Sequence, residues 1–115
     1  MSKSPITAHV LDTTLGRPAA GLAVELVYHG GEAGWLARGS GITDADGRVN
    51  NLTTPEDFAP GTWQISFDTG AYFVARGVPS FYPYVSVTFL VAATDEHYHV
   101  PLLLNPFGYT TYRGS

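Results

Sequence analysis

Cysteine is absent from this chain of 115 residues. Its absence excludes disulfide bonds, cysteine-ligated metal sites and a thiol nucleophile, and it is typical of proteins from a reducing compartment. The chain also lacks any apolar run close to the roughly 20 residues that cross a bilayer, and its N-terminal segment has no apolar stretch typical of signal peptides. These absences predict a soluble, cytoplasmic protein that has no membrane partner.

Charged side chains are scarce, because they make up 14% of the chain and the formal net charge is -4. The six Lys and Arg residues are scattered and form no basic cluster, which argues against nucleic acid as a partner. Few charges in so small a protein indicate that part of the surface is covered by self-association. The length predicts a single domain over residues 1–115.

Glycine and proline, 13 and 8 residues respectively, interrupt the chain at the short intervals typical of all-β sandwiches and barrels. Thr69–Gly77 is the one segment that predicts a short helix, and Asp12–Pro18 predicts a loop. The remaining apolar segments predict about eight strands: Ile6–Leu11, Leu22–Tyr28, Trp35–Ile42, Arg48–Leu52, Thr62–Asp68, Tyr84–Val91, His97–Leu104 and Gly108–Tyr112.

Three histidines are the first candidates for chemistry. His97 and His99 share one face of a predicted strand, and with His9 they could bind zinc and a hydrolytic water. Asp95 and Glu96 indicate, however, that His97 is a solvent-exposed strand end. The imidazoles of His9 and His99 could instead act as metal-free acids or bases near neutral pH, or be hydrogen-bonded core residues among their apolar neighbours.

Two arginines and the C-terminal residues add further candidates. Arg48 follows an Asp-Gly turn, where its guanidinium could bind an anionic or imide-like substrate or simply be solvated. Arg113 allows the same two interpretations. The segment Tyr112–Ser115 concentrates polar groups directly after a predicted strand, so we expect the sheet to hold it in place. Asp44 and Asp46 indicate a turn, because the distal ligands of a calcium loop are missing.

Three segments together resemble the transthyretin-like family, and within it the hydrolase branch that acts on 5-hydroxyisourate. They are His9-Val-Leu-Asp-Thr-Thr-Leu-Gly-Arg-Pro-Ala-Ala-Gly-Leu22, Thr43-Asp-Ala-Asp-Gly-Arg48 and Tyr98-His-Val-Pro-Leu-Leu-Leu-Asn-Pro-Phe-Gly-Tyr-Thr-Thr-Tyr-Arg-Gly-Ser115. The resemblance spans essentially the whole chain. The ending Tyr-Arg-Gly-Ser and the two histidines separate it from the hormone-carrier branch.

The resemblance implies a sandwich of two four-stranded sheets and a homotetramer with a channel lined by the last strands of facing subunits. It implies hydrolysis of 5-hydroxyisourate, with opening of its six-membered ring, to 2-oxo-4-hydroxy-4-carboxy-5-ureidoimidazoline. No metal or organic cofactor is implied. A carrier that binds a planar aromatic ligand in the same channel without turnover is the alternative.

The family's active-site residues match seven positions of this chain: His9, Arg48, His99, Tyr112, Arg113, Gly114 and Ser115. We assign His9 and His99 to positioning and deprotonating water, and Arg48 to holding the substrate and stabilising negative charge on oxygen. Tyr112 and Ser115 would shape the pocket, and Arg113 could be structural. Which histidine is the base stays open, as does whether Ser115 acts through its hydroxyl or its carboxylate.

Overall fold

Two β-sheets pack face to face in the computed structural model, which describes residues 4–115. The N-terminal segment inspected for a signal peptide begins in residues 1–3, which lie outside the described residues. The strands are β1 (Ile6–Asp12), β2 (Arg17–Pro18), β3 (Ala23–His29), β4 (Trp35–Ile42), β5 (Arg48–Val49), β6 (Gly61–Phe67), β7 (Val85–Val91), β8 (Tyr98–Asn105) and β9 (Gly108–Thr111). The helix α1 covers Thr69–Ala75.

The first sheet has the order β2-β1-β8-β9, with β5 also paired to β1, and the second has the order β4-β3-β6-β7. Strands β1 and β8 are parallel, whereas the other pairs are antiparallel. The predicted all-β sandwich with one short helix is therefore confirmed. Among the described residues, no helix is long and apolar enough to cross a membrane.

The first sheet contains five strands rather than the four that the resemblance implied. The extra strand is Arg17–Pro18, which the sequence predicted to lie in a loop. Arg17 pairs with Asp12 across a tight turn, and the N–H of Gly16 donates to the Asp12 carbonyl at 2.9 Å. The prediction was wrong because two residues are too few to show a period of two, so only the pairing partner reveals the strand.

Alternation along the strands directs one set of side chains into the shared core. Trp63, Ile65 and Phe67 on β6 are completely buried, as their predicted alternation requires. On β1, Ile6 and Val10 are completely buried as well. The intervening positions of β1 and β8 therefore lie on the outer face of the five-stranded sheet, which is the face directed away from the other sheet.

Several predicted elements were too long. Four of them overran by one residue, at Leu22, Asp68, Tyr84 and His97, which lie just outside the observed strands. Helix α1 ends at Ala75 instead of Gly77, because Gly77 adopts a left-handed conformation with φ of 68° and the N–H of Val78 closes the helix end. Strand β5 ends at Val49 instead of Leu52, and Leu52 is buried instead against β4. Strand β9 ends at Thr111, one residue before the prediction.

Candidate active site

The outer face of the five-stranded sheet brings together residues from three strands. In the parallel pair of β1 and β8, Thr7 lies opposite His99. On the other side of β1, His9 lies opposite Arg48 of β5. Because Thr7, His9 and His99 alternate with core residues, their side chains lie on the outer face, and the His9 and His99 ring centroids are 6.3 Å apart.

The hydroxyl of Thr7 connects two histidines. Its Oγ1 lies 2.9 Å from Nε2 of His97 and 2.8 Å from Nδ1 of His99. Thr7 itself is only 3% exposed, whereas His97 is exposed and His99 is half-buried. The sequence correctly indicated an exposed His97 but missed Thr7. Its position two residues before His9 on the same strand face was the available signal.

The turn before β5 positions both Arg48 and His9. The Oδ1 atom of Asp44 accepts hydrogen bonds from the backbone N–H groups of Arg48 and Asp46, each at 2.9 Å. The carbonyl of Asp46 accepts a hydrogen bond from Nε2 of His9 at 2.9 Å. The turn predicted around Asp44 and Asp46 is therefore confirmed.

The same contacts favour the ionised form of the Asp44 carboxyl. Hydrogen bonding from the Arg48 N–H is the largest cause that holds the pKa of the Asp44 carboxyl below its ordinary value, and the nearby charge of Arg48 adds to it. Gly47 is required at the end of the turn. Its φ is +75°, and an added Cβ would lie 2.3 Å from the Val10 carbonyl oxygen.

The C-terminal residues cross the edge of His99. The N–H of Gly114 donates to the His99 carbonyl at 2.8 Å, which forms an isolated bridge beyond the end of β9. The glycine lies so close to the imidazole that an added Cβ would be 2.6 Å from His99 Cδ2 and 3.1 Å from Pro101 Cγ. The sheet thus holds this segment in place, as the sequence indicated.

Arg113 points toward the start of β8. Its Nη2 donates to Glu96 Oε1 at 2.9 Å and to the His97 carbonyl at 3.3 Å. Its guanidinium also stacks 4.4 Å from the centroid of the Tyr98 ring. These contacts correspond to the structural alternative that the sequence left open for this residue.

A depression of about 410 Å³ on the outer face contains three of the seven candidate residues. It brings together Arg48, His99 and Ser115 from three separate parts of the chain. Its lining residues are Thr7, Arg48, Asn50, His97, His99 and Ser115. Asn50 could not be predicted from the sequence, because it follows β5 in an irregular segment where no periodicity assigns a face.

The other candidates lie around this depression. Tyr112 and Arg113 line a second hollow of about 280 Å³, which also contacts His99 and extends to β7. Gly114, the next residue in the chain, packs against the His99 ring. His9 lies beside His99 but is held toward the Asp46 carbonyl. His99 is therefore the residue that lines both hollows.

This arrangement combines imidazoles that can transfer protons near neutral pH with a guanidinium that can stabilise an oxyanion. A hydrolysis that proceeds through an anionic intermediate needs both functions. Within residues 4–115, no group of three or more His, Cys, Asp and Glu side chains is arranged to hold a metal ion. The three histidines weighed from the sequence as zinc ligands form no such group, and His97 and His99 lie within hydrogen-bond distance of the Thr7 hydroxyl.

Comparison with known proteins identifies relatives across the full chain. The HIUase/Transthyretin family model matches residues 6–114. A relative from Rhizobium meliloti (strain 1021), named 5-hydroxyisourate hydrolase 2, is 50% identical over 121 aligned residues that cover 100% of both chains.

Solved structures with this fold come from both branches of that family. Sea bream transthyretin, solved in complex with thyroxine, gives a TM-score of 0.91 at 34% identity and covers 96% of this chain and 94% of its own. The 5-hydroxyisourate hydrolase of Klebsiella pneumoniae gives a TM-score of 0.82 at 30% identity and covers 99% and 100%. The fold therefore does not separate carrier from hydrolase, and the site residues must.

Proposed function

Because this chain belongs to the HIUase/Transthyretin family, we propose that it hydrolyses 5-hydroxyisourate and opens its six-membered ring. The observation that carries the proposal is the depression that joins Arg48, His99 and Ser115. The relative from Rhizobium meliloti, with 50% identity over its whole length, supports the hydrolase over the carrier. The product is 2-oxo-4-hydroxy-4-carboxy-5-ureidoimidazoline, and the reaction uses water without a metal or organic cofactor.

His99 is the general base in this proposal. Its Nδ1 is bonded to Thr7, so Nε2 is the nitrogen that takes a proton from the attacking water. His9 is less suited to this role, because its Nε2 must carry a proton toward the Asp46 carbonyl and because it does not line the depression with Arg48 and Ser115. His9 instead positions the substrate or the water beside His99.

Arg48 stabilises the negative charge that develops on the substrate oxygen during attack. Its backbone is anchored by Asp44, and its exposed guanidinium lines the depression together with His99. A fixed guanidinium presents several N–H donors in a plane, which suits a carbonyl oxygen next to a ring nitrogen. Ser115, from the C-terminal end of the sequence, adds polar atoms to the same depression.

The segment Tyr112–Ser115 shapes the site in this proposal. Gly114 allows the chain to pass directly over the His99 ring, and Arg113 fixes the segment through Glu96 and Tyr98. We therefore assign Arg113 a positioning role, with Tyr112 bordering the neighbouring hollow.

We further propose that the chain acts as a single domain and assembles into a homotetramer in which the outer faces line a shared channel. Large apolar side chains that are exposed in the single chain support self-association. They include Phe81, Tyr84, Leu90, Phe107 and Tyr109.

The test follows the ultraviolet decay of 5-hydroxyisourate, generated in situ by urate oxidase, with and without the protein. Faster decay that persists in excess chelator supports the metal-free hydrolase. His99→Ala is expected to abolish the acceleration, whereas His29→Ala, which removes an exposed histidine on β3, serves as a matched control. Tight binding of a planar aromatic ligand without any acceleration by a folded tetramer would favour the carrier.

A further inference from the structure

Thr7 contributes a hydroxyl that lies between two imidazoles. Its oxygen lies within hydrogen-bond distance of Nε2 of His97 and Nδ1 of His99, at 2.9 and 2.8 Å. The parallel pairing of β1 and β8 fixes this position, because Thr7 is the register partner of His99. With 3% of its surface exposed, Thr7 is held in place by the surrounding sheet.

A hydroxyl carries one proton, and this restricts both rings. When Thr7 donates to one imidazole nitrogen, that nitrogen must be unprotonated, and the other nitrogen can donate to the Thr7 oxygen. If His99 donates from Nδ1, Thr7 donates to Nε2 of His97, and both neutral rings carry their proton on Nδ1. If the direction is reversed, both rings carry it on Nε2.

We propose that Thr7 is a positioning residue that couples the tautomer of His99 to that of His97 and so sets whether His99 can act as a base. This inference rests on the proposed function. Only the arrangement with both protons on Nδ1 leaves Nε2 of His99 unprotonated and able to accept a proton from water. His97 thus selects the active form of His99 through the Thr7 hydroxyl.

The same connection gives a balanced route for the proton that hydrolysis produces. Nε2 of His99 takes one proton from the attacking water, and Nδ1 of His99 passes its own proton to Thr7. Thr7 passes its original hydroxyl proton to Nε2 of His97, which is exposed and releases one proton from Nδ1 to solvent. Each group then holds as many protons as before, but both rings carry them on Nε2. When the ring C–N bond breaks, Nε2 of His99 donates its proton to the leaving nitrogen, and Thr7 passes a proton back to Nδ1 of His99. Nε2 of His97 reprotonates Thr7 and Nδ1 of His97 takes a proton from solvent, which restores the active form.

The first test removes only the hydroxyl. Thr7→Val preserves the branched shape on β1, and we expect kcat for 5-hydroxyisourate to fall at least about tenfold with little change in KM. Thr7→Ser keeps the hydroxyl and should restore most of the rate. Thr13→Val is the matched control, because Thr13 also donates one hydrogen bond, at 3.1 Å to the Leu104 carbonyl, but contacts neither histidine. Full activity of Thr7→Val, or a Thr7→Ser variant as slow as Thr7→Val, would overturn the proposal.

The second test needs no variant and stays informative if Thr7→Val does not fold. Nitrogen-15 NMR of the unaltered protein near pH 8, where imidazoles are mostly neutral, identifies the tautomer of each histidine ring. We expect His97 and His99 to share the same tautomer. Opposite tautomers would refute the coupling, whether or not the protein hydrolyses 5-hydroxyisourate. Absence of hydrolysis by the unaltered protein, in contrast, would overturn the proposed function and leave the NMR result to decide the coupling.

Discussion

Replacement of Gly114 by alanine tests whether the C-terminal segment positions the His99 imidazole, which we propose as the general base. The new Cβ would lie 2.6 Å from Cδ2 and 3.3 Å from Cγ of His99. Carbon atoms pack at about 3.5–4.0 Å, so the ring or the segment must move by roughly 1 Å. A displacement of that size in a catalytic group can reduce the rate by about 100-fold. Stability should change little, because residues 112–115 follow the last strand and contribute little to the core.

The assay compares kcat/KM for 5-hydroxyisourate with the thermal midpoint of unfolding. We expect Gly114→Ala to lose about 100-fold in kcat/KM and to keep a midpoint close to the parent. Gly108→Ala is the control on the same hairpin, because a Cβ there would meet only Asn105 at an ordinary 3.6 Å. Unchanged kcat/KM in Gly114→Ala would refute the reasoning that this glycine is needed for close approach to His99.

Four further predictions concern the turn and the core. Asp44→Ala removes the acceptor that holds the Arg48 backbone and should lower kcat/KM, whereas Asp44→Asn keeps an acceptor oxygen and should lose less. Since the pKa of Asp44 is lowered in the folded protein, its ionised form stabilises the turn at pH values above its ordinary pKa. This contribution should be lost as the pH falls through the folded-state pKa. Acid unfolding of the parent and of Asp44→Asn measures the loss. Gly47→Ala should destabilise the fold by about 1–3 kcal/mol in denaturant titrations, because alanine is strained at φ of +75°. Burial, followed by the hydrogen bond to Asp12, raises the pKa of Tyr72 to about 12, so denaturant titrations should show stability falling as the pH rises from about 10 to 12 in the parent but not in Tyr72→Phe.

The sequence predicted the strands whose side chains alternate, such as the one containing Trp63 and Phe67, because burial of one face produces that pattern directly. It also predicted that His97 and His99 share a face. It could not predict that Thr7 lies between them, because this contact joins residues 92 positions apart through strand pairing. Periodicity assigns a residue to a face but does not identify the neighbouring strand.

In the candidate site, too, residue types could be predicted from the sequence, whereas their contacts could not. The resemblance assigned the candidates Arg48 and Ser115 to the active site, and the structure brings both into one depression with His99. It could not distinguish a substrate-binding Arg113 from a structural one, since that depends on the positions of Glu96 and Tyr98 around the guanidinium. Asn50 was missed for the same reason, because irregular segments acquire their direction from tertiary contacts rather than from local sequence.

The parallel pairing of β1 with β8 has a consequence for the order of folding. It unites residues near position 8 with residues near position 100, and such long-range pairing forms slowly because a large loop must close first. Hydrogen bonds in the hairpins of the other sheet can form without it. During refolding, hydrolytic activity should therefore return later than the β-sheet signal in circular dichroism. The recovery of enzymatic activity would then report the rate at which β1 pairs with β8.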